Sequence, residues 1–305
     1  MKKLISAIIT TYNRELRVLK RAVESVLNQT YTNFELIIVN DCPKNVCLNN
    51  EILQYINSLS DERIKYIVHD KNLGACKARN TGLTFASGDY VAFLDDDDEW
   101  LNNKLEKQLS CISESDAGAV YCYYNNILEN GEVQKVIPCN LSGDLSLKLL
   151  AGNCVGGTSM PLIRKSVFES VGLFDEDLLS SQDHDMWLRI SLKYKFICCD
   201  DYLVNRYMQC ESITNNIIKQ KQGFMFFINK HKYLYEMYKN EYNFLLTQKA
   251  KVWISNGYFK DGCRLMNRAI RVRFFSLNNV FQPIKGLLVF IKLKTREGLY
   301  EYEKN

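Results

Sequence analysis

The first hundred residues alternate between short runs that are apolar throughout and segments whose apolar residues recur every three or four positions. The first pattern is typical of a buried strand and the second of a helix with one buried face. Fully apolar strands that are separated by helices belong to a parallel sheet covered on both faces. The sequence therefore predicts an α/β fold with a mainly parallel sheet of the nucleotide-binding, Rossmann-like type. The predicted strands are Leu4–Thr10, Phe34–Asn40, Arg63–Val68 and Tyr90–Leu94, and the predicted helices include Glu15–Leu27, Ile52–Ile56 and Asn72–Ala86.

Polar residues stand directly after each predicted strand. In open sheets of this type, ligands bind beyond the carboxyl ends of the strands. Three of the four strands lead into carboxylates, and the first leads into Thr11-Tyr12-Asn13. We therefore expect the functional site at this edge of the sheet. The carboxylates are Asp41, Asp70 and the run Asp95–Asp98.

The run Asp95–Asp98 is the sharpest chemical feature. Four adjacent carboxylates repel one another unless a cation or solvent relieves them. A divalent ion such as Mg²⁺ or Mn²⁺ would do so, because these ions take one or two carboxylates and complete their shell with water and phosphates. The alternative is a solvated acidic turn that caps a helix starting near Leu101, where acids favour the helix dipole.

Two helix starts also carry charged residues. In Gln182–Trp187, the carboxylates of Asp183 and Asp185 lie in the first turn of a helix predicted to run from Gln182 to Tyr194, with Ser180 or Ser181 as its N-cap. Ordinary capping and a core aromatic would also explain this segment, and His184 is interpreted as structural. The segment Asn72–Asn80 opens a helix with Gly74, Lys77 and Arg79, which favours an anionic ligand such as phosphate.

The second half of the chain has a different pattern. Strand-like segments at 119–124 and 133–137 predict antiparallel additions to the sheet, and the chain reads as helical after Thr214. We therefore predict a catalytic domain over residues 1–215 and a helical, basic region over 216–305. Residues 251–305 hold 11 Lys and Arg against 4 Asp and Glu, or +7, although the whole chain carries only +4.

The basic region has two interpretations: a peripheral contact with the inner face of the cell membrane, or a helical subdomain with a solvated basic face. Nucleic acid is disfavoured, because no recognition motif accompanies the charge. No apolar stretch is long enough to span a bilayer. The 11 cysteines form no Cys-x-x-Cys pair, which predicts reduced thiols in the cytoplasm and disfavours structural zinc.

In their order along the chain, the motifs resemble those of the family 2 glycosyltransferases, similar to bacterial polysaccharide and O-antigen enzymes. The resemblance covers residues 4–215 and implies a GT-A fold and inverting transfer from a nucleotide-activated sugar. Two departures are Gln182, where many members have Glu, and residues 206–210, which lack the frequent Tyr-Arg-x-His. The motifs are Ile8–Arg14, Ile38–Asp41, Asn72–Asn80, Phe93–Asp98 and Gln182–Arg189.

The resemblance also implies roles for single residues. Asp183 would be the catalytic base and Asp97 would hold Mn²⁺ or Mg²⁺. Asp41 would read the base of the nucleotide, usually uracil, and Asp96 would lie near the ribose. The predicted nucleotide contacts are Thr10, Tyr12, Asp41, Arg79, Asp95 and Asp96.

Together with these motifs, the resemblance implies a cytoplasmic, metal-dependent, inverting transferase that uses a UDP-sugar in surface polysaccharide synthesis. A glycan acceptor on a lipid carrier follows only from the resemblance and from the basic C-terminal region. One alternative is a sugar-nucleotide pyrophosphorylase, which would need a Gly-rich basic loop where Thr10–Asn13 stands. The other is a membrane-associated nucleotide- or glycan-binding module without turnover. Such a module would be expected to lack Asp183 or Asp97, and both are present.

Overall fold

The computed structural model describes residues 2–208, 217–273 and 281–290 of the 305-residue chain. The last two residues of the segment 206–210 therefore lie outside the described residues, as do 274–280 and 291–305 of the basic region. Contacts divide the chain into two compact units. Unit 1 comprises residues 1–146 and 153–227, and unit 2 comprises 147–152 and 228–305.

The predicted parallel sheet is present at the start of unit 1. The first four strands, β1 to β4, pair in parallel in the order β3-β2-β1-β4, and a helix lies in each of the three connections. Thr10 pairs with Val39 on one side and Asp95 on the other, so the carboxyl ends of these strands meet at one edge. The elements are β1 Ile5–Thr11, α1 Leu16–Leu27, β2 Phe34–Asn40, α2 Val46–Leu59, β3 Ile64–Val68, α3 Ala75–Phe85 and β4 Tyr90–Asp95.

The remaining strands extend this sheet in mixed fashion, which confirms the predicted α/β class. The order is β3-β2-β1-β4-β8-β6-β9-β5, and β7 pairs with β6. The pairs β4/β8, β6/β8, β5/β9 and β6/β7 are antiparallel, whereas β6/β9 is parallel. The elements are β5 Asp98–Trp100, α4 Lys104–Ser113, β6 Ala119–Ile127, β7 Val133–Val136, α5 Ser146–Ala151, β8 Leu162–Arg164, α6 Lys165–Val171, α7 Gln182–Ser191 and β9 Phe196–Tyr207.

The acidic run does not lead into a helix near Leu101, as the alternative interpretation required. Asp98 starts β5, which pairs with β9, and α4 begins only at Lys104. The reason is the burial of Trp100, whose indole N–H donates to the carbonyl oxygen of Ser159 at 3.0 Å. Similarly, α3 begins at Ala75 rather than at residue 72, because Gly74 has a φ of +87° that a helix cannot contain.

The core of unit 1 forms where helices pack directly on the central strands. β1 and β2 are buried along nearly their whole length, and α1 covers them with Leu19, Ala22, Val23 and Val26. On α3, Gly82 allows close contact with β1: a Cβ there would lie 2.4 Å from Cγ2 of Ile8. This packing fixes the edge of the sheet against the first turns of its helices.

The described part of the C-terminal region is helical, as predicted. Among the described residues, no helix combines the length and apolar character needed to cross a membrane. The helices are α8 Ile217–Lys230, α9 Lys232–Met237, α10 Lys239–Ser255 and α11 Phe259–Val272, and residues 281–290 are also helical.

A buried lysine in α4 gives the fold a specific pH dependence. Lys104 is fully buried, and its ammonium donates to Oε1 of Gln108 at 2.6 Å and lies 4.3 Å from the centroid of the Trp100 ring. Burial lowers the pKa of Lys104 from 10.5 to about 8. The folded state therefore disfavours the charged lysine, and this penalty is complete below pH 8 and disappears as the pH rises towards 10.5.

We expect Lys104→Met to remove this dependence. Between pH 8 and 10.5, the free energy of unfolding of the wild type should gain up to about 3 kcal/mol relative to that of the variant. Urea titrations of both proteins across this range measure the difference, in which the contributions of other titrating groups cancel. Parallel pH profiles would contradict the assignment.

Candidate active site

The site lies at the edge where β1, β2 and β4 end. The backbone continues the pairing past the strands, because the N–H of Asp41 donates to the carbonyl oxygen of Thr11 at 2.8 Å. Thr10 is half-buried, while Tyr12 is 54% exposed at the rim. The structure thus places Thr10, Tyr12, Asp41 and Asp95 at one edge, as their positions after the strands predict.

Asp41 organises the entry to α3. Its carboxylate accepts hydrogen bonds from the backbone N–H groups of Leu73 and Gly74 at 2.8 and 2.7 Å. It also contacts Nδ1 of His69 at 2.8 Å, and Nε2 of His69 lies 2.9 Å from Oγ1 of Thr81. Asp41 is buried, and both of its oxygens bind within the chain. Its predicted contact with a nucleotide base stays a prediction.

The acidic run alternates between an outer and an inner face. Asp95 and Asp97 reach solvent with 35% and 26% of their side chains, whereas Asp96 and Asp98 are buried. The alternative of a solvated acidic turn is therefore wrong for the two inner residues. The outer pair leaves carboxylate oxygens near solvent at the rim, which suits a hard ion that also binds water and phosphate.

Guanidinium groups and a hydroxyl donate hydrogen bonds to the run in this structure. Arg14 bridges two carboxylates: Nε donates to Asp96 and a terminal nitrogen donates to Asp97, both at 3.0 Å. Arg21 donates to the carbonyl oxygen of Asp97 at 2.6 Å. On the inner face, Oδ2 of Asp98 accepts from the hydroxyl of Ser159 at 2.6 Å.

Burial makes the ionised run costly. Burial raises the pKa of Asp96 to about 6, although Arg14 opposes the shift. Burial and the charge of Asp95 raise the pKa of Asp97, and burial with both outer neighbours raises the pKa of Asp98. A further cation at the outer face would favour the ionised carboxylates.

Among the described residues, no group of three or more His, Cys, Asp or Glu side chains is arranged to hold a metal ion. Protein atoms alone therefore do not form a closed metal cage in this part of the chain. The outer carboxylates instead fit a magnesium-type site, in which one or two carboxylates hold the ion and a bound phosphate completes its shell. Asp97, with Asp95 beside it, satisfies that requirement.

Arg79 connects the acidic run to α7. It is buried, and its guanidinium donates to Oδ1 of Asp95 at 2.9 Å and to Oε1 of Gln182 at 2.9 Å. Oδ1 of Asp95 also accepts from the hydroxyl of Thr158 at 2.9 Å. Gln182 takes this bond with a neutral amide, so its position adds no negative charge beside Asp183.

Asp183 lies half-buried in the first turn of α7. Oδ1 accepts from the backbone N–H of His184 at 2.8 Å, and Oδ2 accepts from the amide of Asn153 at 3.0 Å. Burial raises the pKa of Asp183, and so does the charge of Asp95, whereas the His184 N–H and Arg79 lower it. The carboxyl therefore holds its proton at a higher pH than an ordinary aspartate.

The other residues of this motif are structural. Asp185 is fully buried and pairs with Arg189 at 2.9 Å, and the indole of Trp187 donates to the carbonyl oxygen of Gly156 at 2.9 Å. His184 stacks on Phe227 at 4.4 Å between ring centroids. Ser181 occupies the N-cap position with a φ of +62° and no capping bond from its side chain. Ion pairing and core packing thus explain Asp185, Trp187 and His184, whereas, within the described part of the chain, the half-buried carboxylate of Asp183 is held by the His184 N–H and the Asn153 amide.

Several side chains of the site carry no signal in the sequence. Arg14 stood in the first motif, yet nothing in its spacing from Asp96 indicated the ion pair. The others come from the segment 153–159 and from α1, where no local pattern marks them. The missed residues are Arg14, Arg21, Asn153, Thr158 and Ser159.

The chain is similar to known glycosyltransferases. Residues 6–172 match the family described as "Glycosyl transferase family 2". A putative colanic acid biosynthesis glycosyl transferase, WcaA of Escherichia coli K12, is 30% identical over 263 residues, which are 82% of this chain and 90% of WcaA. The Escherichia coli UDP-Glc:alpha-D-GlcNAc-diphosphoundecaprenol beta-1,3-glucosyltransferase WfgD is 34% identical over 188 residues, 61% of this chain and 69% of WfgD.

The fold also matches that of a solved structure. The structure of S. aureus TarS 1-349 in complex with UDP-GlcNAc aligns with a TM-score of 0.58 at 18% identity, covering 94% of this chain and 80% of that one. At this identity the likeness concerns the fold alone. The mixed, mainly parallel sheet is the GT-A arrangement that the motifs implied.

Proposed function

The chain belongs to glycosyl transferase family 2 and is a glycosyltransferase, and we propose that it moves a sugar from a UDP-sugar, with inversion, to a hydroxyl of a glycan acceptor. The observation that carries the proposal is Arg79, which joins Asp95 at the sheet edge to Gln182 beside Asp183. One buried cation thereby connects the proposed donor site to the neighbour of the candidate base.

The sheet edge would hold the nucleotide. Tyr12 offers an exposed ring and Thr10 a half-buried hydroxyl, while Asp41 holds the backbone of Leu73 and Gly74 in place. We propose that Asp41 contacts the base of the nucleotide. It would also shape the base pocket, because its carboxylate holds the backbone of Leu73 and Gly74. Asp96 would lie near the ribose, fixed by its ion pair with Arg14.

Asp97 would hold the metal, with Asp95 beside it. When bound, Mn²⁺ or Mg²⁺ would offset the negative charge that develops on the departing diphosphate. Arg79 fixes the orientation of the Asp95 carboxylate, and Arg14 fixes that of Asp97. Both carboxylates are therefore oriented before the donor arrives, which reduces the reorganisation that binding requires.

Asp183 would act as the general base. During transfer, the acceptor oxygen forms a bond to the anomeric carbon, the bond from that carbon to the diphosphate oxygen breaks, and the acceptor proton passes to the Asp183 carboxylate. The Asn153 amide and the His184 N–H fix the carboxylate. Its raised pKa makes it a stronger base than a free aspartate, and such help is typically worth ~10²- to 10⁴-fold.

The acceptor and its location are finer parts of the proposal. WfgD is named for an acceptor on diphosphoundecaprenol and WcaA for colanic acid synthesis, and we extend a lipid-linked glycan acceptor to this chain from those relatives. We also propose a cytoplasmic location with peripheral membrane contact through the basic C-terminal region. A pyrophosphorylase or a binding module without turnover would leave the Asp183 carboxyl without a chemical role.

A thermal-shift screen of nucleoside diphosphates and UDP-sugars, with Mn²⁺ and with chelator, tests the donor. A ligand at 1,000 times its dissociation constant adds about 4 kcal/mol to the free energy of unfolding. We expect UDP with Mn²⁺ to raise the melting temperature, chelator to abolish the rise, and CDP and GDP to give smaller shifts. If no nucleotide shifted the melting temperature, the proposed donor site would be rejected.

A further inference from the structure

Unit 2 contains a cavity that the proposed transfer does not use. Its volume is about 280 Å³, and it lies among α9, α10 and the C-terminal half of α11. Every lining residue belongs to unit 2, so the cavity is a property of that unit. Sites for drug-sized ligands span about 300–1,000 Å³, so this one suits a compact group rather than a whole nucleotide sugar.

The lining is strongly basic. Lys232, Lys239, Arg268 and Arg271 face a single carboxylate, that of Glu236, which leaves a formal charge of +3. Glu236 lies 3.6 Å from Lys232, and both side chains are largely exposed. Among the described residues, no ion pair within 4.0 Å joins a carboxylate to any of the other three cations.

Aromatic rings form part of the wall beside these cations. The rings of Tyr235 and Tyr242 are buried and stack with centroids 4.6 Å apart. The guanidinium of Arg268 lies 5.4 Å from the centroid of Tyr242. Arg271 stands three residues later on α11, and residues at this spacing lie on the same side of a helix. The two arginines therefore present their guanidinium groups to one space.

The helices that carry these residues are tightly joined. The buried amide of Asn243 on α10 donates to the carbonyl oxygen of Ala269 on α11 at 2.9 Å. Nearby, a Cβ at Gly262 would lie 2.5 Å from Cγ1 of Ile254, so the two backbones approach closely. Lys239, Arg268 and Arg271 thus stand on a fixed frame, which lowers the cost of binding an ion.

We propose that this basic cavity binds a phosphate or diphosphate group. Cations held close together repel one another, and a multiply charged anion relieves that repulsion best. A diphosphate matches the formal charge of +3, whereas a carboxylate would neutralise one charge of the three. Arginine forks also bind phosphate oxygens in pairs. The group is either free diphosphate or the headgroup of a prenyl carrier, and the second source rests on the proposed function.

Calorimetry of the full chain with inorganic pyrophosphate in chelator tests the proposal, because chelator removes the metal that the sheet edge would need. The paired variant R268Q/R271Q loses two cations inside the cavity. Its matched control K260Q/R264Q loses two cations from the same helix outside the lining. We expect binding at least about tenfold weaker for R268Q/R271Q and within about twofold of the wild type for the control. Equal weakening of both, or no binding by the wild type, would overturn the proposal.

Lysine acetylation followed by mass spectrometry locates the ligand. Pyrophosphate should protect Lys232 and Lys239 and leave exposed Lys260 reactive; unchanged reactivity of the first two would also overturn the proposal. Tighter binding of farnesyl diphosphate than of pyrophosphate assigns the site to a prenyl headgroup, and equal or weaker binding assigns it to free diphosphate. R268Q/R271Q should keep the thermal shift with UDP and Mn²⁺, so failure here and failure of the donor site are separable.

Discussion

Asp183→Asn should fold normally, bind UDP with Mn²⁺ as the wild type does, and lose at least ~10²-fold in kcat. The amide keeps the size of the carboxyl and can still accept from the His184 N–H, so the first turn of α7 stays intact. What it loses is the capacity to take the acceptor proton, together with the bond that Oδ2 accepts from the Asn153 amide. Initial rates with a synthetic glycan acceptor, together with the thermal shift from UDP, separate the two effects.

The pH profile gives a second readout of Asp183. As the pH falls through the raised pKa, the carboxylate gains a proton and kcat/KM must fall. In the wild type, kcat/KM should therefore begin to fall at a pH above the usual pKa range of an aspartate. Asp177→Asn is the matched control, because Asp177 is an exposed carboxylate on the turn before α7. Wild-type turnover by Asp183→Asn, or an equal loss in Asp177→Asn, would remove Asp183 from its role.

Asp97→Asn should abolish the thermal shift that UDP gives with Mn²⁺ and lower kcat/KM by ~10²- to 10³-fold. The substitution removes the outer carboxylate at which we place the metal. Because burial raises the pKa of Asp97, the folded state disfavours its charge, and the variant without ligand should melt no earlier than the wild type. Loss of ligand binding without loss of stability is typical of a functional site.

Asp70→Asn serves as the matched control for Asp97→Asn. Asp70 is an exposed carboxylate that follows β3 at the same edge of the sheet. Asp70→Asn should leave both kcat/KM and the thermal shift from UDP with Mn²⁺ unchanged. A metal-dependent shift that survives in Asp97→Asn would place the ion elsewhere, whereas its loss in both variants would indicate only a general effect of rim charge.

The central sheet could be predicted from the sequence because each of its strands has a recognisable pattern in its own residues. β1, β2 and β4 are mainly apolar and are buried along nearly their whole length, and burial on both faces produces that pattern. β5 could not be predicted in the same way, because three residues that include Asp98 and Glu99 carry no strand signal. They form a strand only because β9, about a hundred residues later, supplies the partner. Long-range pairing of this kind overrides local propensity.

The same distinction applies to the site. Asp95, Asp96, Asp97 and Asp183 stood out because strand ends and first helical turns are positions where chemistry concentrates. Arg14 lies more than eighty residues from its partners, and Asn153 lies thirty residues from Asp183. No local pattern in the sequence marks such pairings. A network of this kind also determines which acids reach solvent, which a run of four identical letters cannot show.

The shared bonds of Arg79 have a consequence for directed evolution of this enzyme. The guanidinium of Arg79 donates to Asp95, which we assign to donor binding. It also donates to Gln182, the neighbour of the proposed base Asp183. A mutant library that varies position 95 or 182 alone will therefore leave a buried cation without its partner in most clones. Libraries that aim at a new donor should randomise positions 79, 95 and 182 together and select among combinations.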